Sequence, residues 1–236
     1  MAETPLLGET KSLLRDLVGF DTTSRNSNLP LIEHVADYLS DHGAATRLIP
    51  SADGAKANLF ATIGPDIPGG VVLSGHSDVV PVDGQNWSTD PFALTEADGK
   101  LYGRGSADMK GFIACALAMA PRFAEMDLNR PIHFAFSYDE EVGCLGVGRL
   151  IDVVLSELPR PAAVIVGEPT GMQIASAHKG ICAMTTTVRG REAHSSRPQD
   201  GVNAISAAAS LVSYLYLLCE ELAETDRSPR YTLVAG

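Results

Sequence analysis

The chain reads as an α/β protein: a mostly parallel sheet flanked by helices over residues 1–180, then the start of an α+β domain over 181–236. Three observations carry this expectation. Strand-like and helix-like segments alternate through the first part. Its strand-like segments VVLSG (71–75), IHFAFS (132–137) and AAVIVG (162–167) are almost wholly apolar, as strands covered on both faces are. From Ile181 the texture changes to apolar/polar alternation followed by one long helix.

Taken in order, Thr4-Pro5 reads as an N-cap with proline at the first helical position, and Leu13, Leu14, Leu17 and Val18 form one apolar face. A second helix is expected from about Leu31 to His42, stopped by Gly43. Strands follow at ATRLI (45–49), NLFATIG (58–64) and VVLSG. FIACALAMA (112–120), apolar on every side, reads as a buried helix of small residues. IHFAFS is a strand, VGCLGVGRLIDVVL (142–155) a helix and AAVIVG a strand. In the second part, ICAMTTTVRGR (181–191) alternates like an antiparallel strand, 200–224 reads as a long helix, and RYTLVAG (230–236) starts like a strand.

A net charge of −11 argues against a nucleic-acid partner and against an anionic membrane surface. No uninterrupted run of about 18 apolar residues is present, so no membrane span is expected. The N-terminus lacks a basic stretch leading into an apolar core, so no signal peptide is expected either. Four scattered cysteines (Cys115, Cys144, Cys182, Cys219) without a CxxC pair fit reduced, mostly buried thiols and a cytoplasmic location.

Three apolar strands each run into a potential metal ligand. His76 and Asp78 follow VVLSG, Asp139, Glu140 and Glu141 follow IHFAFS, and Glu168 follows AAVIVG. Ligands bind at the carboxyl ends of strands in open α/β sheets, so distant residues can meet there. Asp108, before the buried helix, is a further candidate. Singly, each has a plainer reading: an HxD turn, a helix N-cap at Asp108, solvated glutamates. Jointly, one histidine with several carboxylates suits zinc, manganese or cobalt. Competing motifs fail: GHSDV has valine where GxSxG needs glycine, Gly103-Arg-Gly105-Ser-Ala-Asp108 lacks the third glycine of GxGxxG, and Ser106 and Lys110 are too far apart for SxxK.

SGHSDVVPVDG, LYGRGSADMKG, SYDEEVG, VGEPT and GREAHSS, in this order, resemble the M20 family of metal-dependent amidohydrolases and peptidases. Within it, GRGSADMKGF, SYDEEVGCLG and HKGICA most resemble acetylornithine deacetylases, which act in arginine biosynthesis. The resemblance implies an incomplete zinc-peptidase-like catalytic domain with the beginning of a lid and dimerisation domain. It implies two divalent ions, zinc or cobalt. His76 and Glu168 would hold one, Asp108 would bridge both, and Glu141 would hold the second. Glu140 would be the general base, Asp78 would orient His76 from behind, and His194 would stabilise the oxyanion. The substrate would be a small N-acyl amino acid, and the full-length protein a homodimer. The same shell serves succinyl-diaminopimelate desuccinylases and M20 dipeptidases or carboxypeptidases. A non-catalytic metal-binding or dimerisation module is the reading from another class.

The resemblance also implies that the lid is followed by a returning part that completes the sheet and supplies the second ion's histidine. No histidine follows His194, so this chain is expected to be a piece of a longer enzyme, the alternatives being a degenerate paralogue without turnover and, last, a second chain that supplies the missing part.

Overall fold

Thr4 and Pro5 start the first helix as their types require. The Thr4 hydroxyl accepts the Leu7 amide at 3.3 Å, and helix α1 (Pro5–Gly19) buries Leu13, Leu14, Leu17 and Val18. This is a computed structural model, and it describes residues 4–158, 160–177, 180 and 184–225. Helix α2 (Leu29–Asp41) begins two residues earlier than its apolar periodicity indicates, because Pro30 fits its first turn. Asn28 gives that helix no side-chain cap; its amide instead donates to the Ala57 carbonyl at 2.8 Å and to Ser77 Oγ at 2.9 Å. Gly43, at φ 79°, ends α2 in the left-handed region, its amide bonded to the Ser40 carbonyl at 3.0 Å.

Strands β1 (Ala45–Pro50), β2 (Ala57–Ile63) and β3 (Val71–His76) follow, and then a small hairpin of β4 (Thr95–Ala97) and β5 (Lys100–Tyr102). Helix α3 (Lys110–Glu125), strand β6 (Ile132–Ser137), helix α4 (Val147–Glu157) and strand β7 (Ala163–Val166) complete this part. The main sheet has the order β1-β2-β6-β3-β7. β3 pairs in parallel with β6 and with β7, whereas β2 is antiparallel to β1 and to β6, so β2 alone runs against the other four. The expected mostly parallel sheet flanked by helices is present, as a mixed sheet.

Strand alternation sends side chains to two cores. Leu59, Ala61, Ile63, Phe134 and Phe136 join α1, α2 and α3 on one face, while Phe60, Val72 and Ala135 pack with Leu150 of α4 on the other. α4 begins at Val147 rather than near Val142, because Gly143 (φ 110°) and Cys144 (φ 57°) lie outside the helical region. β7 is as apolar as a covered strand, yet Val164, Ile165 and Val166 are all more than half exposed.

Contacts divide the chain into two units, Met1–Met172 and Gln173–Gly236. In the second, helix α5 (Ala204–Thr225) matches the long helix read from the sequence. The alternating segment before it does not form a strand over 184–190. Its one ladder contact is an isolated antiparallel bridge between Arg191 and Val202, since no described neighbour supplies a partner strand. Residues 181–183 and the segment RYTLVAG lie outside the described residues. One apolar feature escaped the sequence reading: Ala204–Leu222 has a mean hydropathy of 1.3, which by length and composition is enough to cross a membrane. Interspersed Ser206, Ser210 and Ser213 break any continuous apolar run, but Ser210 and Ser213 return their hydroxyls to backbone carbonyls within the helix, at 3.1 and 2.9 Å. The thiols of Cys115 and Cys144 are free, as expected, but exposed rather than buried.

Candidate metal centre

Parallel register brings the three strand ends together. His76 stands opposite Ser137, and Ser74 opposite Val166, so the residues just past β6 and β7 flank the end of β3. The Gly167 amide extends that ladder to the Ser74 carbonyl at 3.1 Å and delivers Glu168 to the same edge.

His76 is 2% exposed. Its Nδ1 lies 2.9 Å from the Asp78 carbonyl, which can only accept, so Nδ1 carries a proton. Nε2 then faces the carboxylates: Asp108 Oδ1 at 3.0 Å, Glu168 Oε1 at 3.8 Å and Glu140 Oε2 at 3.9 Å. Burial alone would lower the His76 pKa, but its hydrogen bonds with Asp78 and Asp108 raise it to about 9.

Asp108 is not a helix cap. The N-cap of α3 is Met109, without a side-chain cap bond, and the Asp108 carboxylate is turned to His76 instead. His76, Asp108 and Glu168 each offer a ligand atom, all within 4.8 Å of one another. Burial first, and then the neighbouring Asp108 carboxylate, push the Glu168 carboxyl upward. Glu141 is raised by the same two causes in the same order. A divalent cation reverses this, because opposite charge favours the ionised forms. An imidazole lone pair and crowded carboxylates therefore fit one such ion.

Glu141 stands apart from that triad. It lines, with Asp108, Val80, Arg104 and Ser106, a cavity of about 220 Å³. No second group of three donor residues forms among the described residues. His194 belongs to the second unit and is exposed. Its Nδ1 accepts the Ser196 amide at 3.2 Å, which places the proton of the neutral ring on Nε2.

Asp78 acts mainly on the neighbouring loop. Its carboxylate accepts the Ser24 hydroxyl at 2.7 Å, the Glu140 amide at 3.0 Å and the Glu141 amide at 3.2 Å. Against the opposing effect of burial, the adjacent His76 first, then the Ser24 hydroxyl and the Glu140 amide, hold the Asp78 carboxyl below the usual range. The contact with His76 Nδ1 runs through the Asp78 carbonyl, since the nearest carboxylate oxygen is 3.6 Å away. Asp139, grouped with the glutamates in the sequence, turns away from them and pairs with Lys56.

The loop that carries the three acids is closed at its base. Asn58, fully buried on β2, accepts the Tyr138 amide at 3.3 Å and donates to the Gly146 carbonyl at 2.9 Å. Gly146 permits this closure, because a Cβ there would lie 2.2 Å from the Tyr138 carbonyl oxygen. Sequence reasoning missed Ser24, Lys56 and Asn58. Only Asn58 carries a signal, as a polar residue leading an otherwise apolar strand.

A buried histidine and convergent carboxylates at the carboxyl ends of an α/β sheet are the donor set of a metallohydrolase. The comparisons narrow that class: the chain belongs to peptidase family M20/M25/M40, whose profile matches residues 72–227. It is 40% identical over 197 residues to the acetylornithine deacetylase of Pasteurella multocida, covering 83% of this chain and 50% of that one. To the acetylornithine deacetylase of Shigella sonnei it is 37% identical over 208 residues, covering 88% and 53%. The chain thus spans about half the length of the curated relatives it matches. Among solved structures it is similar to human carnosine dipeptidase 1, with a TM-score of 0.55 and 30% identity over 67% of this chain and 38% of that one. A tripeptidase from Staphylococcus aureus, with a TM-score of 0.59 and 23% identity over 87% and 56%, shares the fold.

Proposed function

We propose that this chain is the metal-binding part of an amidohydrolase that releases acetate from N2-acetyl-L-ornithine. The observation that carries this reading is the His76–Asp108–Glu168 cluster in a chain 34–40% identical to acetylornithine deacetylases. His76, Asp108 and Glu168 would hold one divalent ion, and Asp108 with Glu141 would hold a second, zinc or cobalt in each case. Such ions, when bound, lower the pKa of a coordinated water and polarise the amide carbonyl. Glu140, at the rim of the cluster, takes the water proton and passes it to the leaving amine. Asp78 fixes the backbone beneath Glu140, and the Nε2 proton of His194 is the donor for the oxyanion. The working protein is a cytoplasmic homodimer acting on a small N-acyl amino acid, and the acidic surface offers nothing to nucleic acid.

Glu140→Ala tests this directly. Metal content is expected to be retained and acetate release lost; unchanged turnover would overturn Glu140 as the base. The likeness to carnosine dipeptidase 1 favours dipeptide hydrolysis as the second reading. A panel of N2-acetyl-L-ornithine, N-succinyl-diaminopimelate and dipeptides separates the readings by relative kcat/KM.

A further inference from the structure

We propose that Lys56 is a positioning residue for the Glu140–Glu141 pair, acting through Asp139 and Ser24; the inference rests on the metal-centre reading above. Three consecutive acids leave β6, and only two of them serve the cluster. Asp139 has a φ of 56°, a region that residues other than glycine seldom occupy without something holding them there. What holds it is Lys56, whose ammonium pairs with the Asp139 carboxylate while their side chains are only 16% and 15% exposed.

The same ammonium donates to the Ser24 carbonyl. The Ser24 amide bonds the Val79 carbonyl at 3.1 Å, and its hydroxyl reaches Asp78 Oδ2 at 2.7 Å. Asp78 in turn accepts the amides of Glu140 and Glu141. A closed ring results, from Lys56 through Asp139 to the two glutamates, on to Asp78 and Ser24, and back to Lys56. The ring grips the tripeptide at one end by a carboxylate and at the other by two amides. Lys56 immediately precedes β2, whose Asn58 closes the base of the loop, so the ring is anchored on a sheet strand.

The ring has an electrostatic consequence. Unpaired, Asp139 would add a third like charge beside Glu140 and Glu141 and drive the turn open. Paired with Lys56, it leaves two carboxylates, Glu140 near His76 and Glu141 on the cavity that Asp108 also lines.

Amide hydrogen exchange on the metal-free protein and cobalt(II) titration test the proposal. Lys56→Met alone strands a mostly buried carboxylate, so Lys56→Met/Asp139→Asn is the informative variant. Its Glu140 and Glu141 amides are expected to lose protection by about tenfold while β3 amides keep theirs, with cobalt affinity falling by a similar factor. Lys56→Arg, which keeps the charge, is expected to hold both near wild type. Wild-type protection and affinity in the double variant overturn the proposal. If that variant does not fold, Ser24→Ala opens the ring without stranding a charge, and unchanged protection there overturns it equally. Failure of the wild-type chain to bind cobalt overturns the metal-centre reading instead, while the exchange comparison still judges the ring.

Discussion

In the metal-free protein His76 is a proton site before it is a metal site. Its imidazole holds a proton up to about pH 9, because Asp78 and Asp108 outweigh the effect of burial. A divalent ion needs the Nε2 lone pair and must displace that proton. Near pH 7.5 the ring is almost wholly protonated, so metal binding is expected to release about one proton, and apparent affinity to rise about tenfold per pH unit between pH 7 and 8.5. Isothermal titration with cobalt(II) in two buffers of different ionisation enthalpy measures the release directly. Folding without metal runs the other way. The folded pKa of about 9 lies above the unfolded value of 6.5, so this contribution is fully present below 6.5 and is lost as pH rises through 9. The difference of 2.5, from 9 less 6.5, corresponds to about 3 kcal/mol. Proton release near zero, with affinity flat across that pH range, would refute the reasoning.

Gly146→Ala drives a Cβ to 2.2 Å from a backbone oxygen and 2.9 Å from the Tyr138 ring. It is expected to destabilise the metal-free protein by at least about 1–3 kcal/mol in urea unfolding and to weaken cobalt binding through the loop it deforms. Lys110 is fully buried, its ammonium bonded to the Phe20 carbonyl at 2.7 Å, and burial lowers its pKa to about 7 against the opposing charge of Asp21. Its lowered pKa makes the charge a cost that is complete below pH 7 and relieved as pH rises toward the unfolded value of 10.5. Lys110→Met is therefore expected to raise the thermal midpoint most at pH 6, with the gain fading by about pH 10.

Apolar runs made the strands of the first unit legible, and the rule that α/β ligands gather at carboxyl ends made His76 and Glu168 legible together, while Asp108 was legible only as a candidate before the buried helix. Strand direction was less so. Apolarity alone does not tell β2 from the four strands that run against it, although the short 51–56 connection after β1 is of hairpin length. The start of α4 was obscured because its apolar spacing continues back through Gly143 and Cys144, whose positive φ only the folded loop dictates. Composition could not divide Asp139 from Glu140 and Glu141, since what separates them is a lysine 83 positions away in sequence. Ser24 was invisible for the same reason, and Asn58 showed only as a polar residue at the start of an apolar run, its partners being set by tertiary contact. In the second unit, alternation at 184–190 gave a strand signal with no strand among the described residues to pair with, and a signal of that kind is only as good as its partner.

Equilibrium cobalt(II) titration of the purified 236-residue chain, followed by visible absorption, tests the metal centre most directly. The account predicts saturable binding of at least one ion, lost in His76→Ala and strongly weakened in Glu168→Ala. Absence of saturable binding in the wild-type chain, or binding undiminished in His76→Ala, would contradict it.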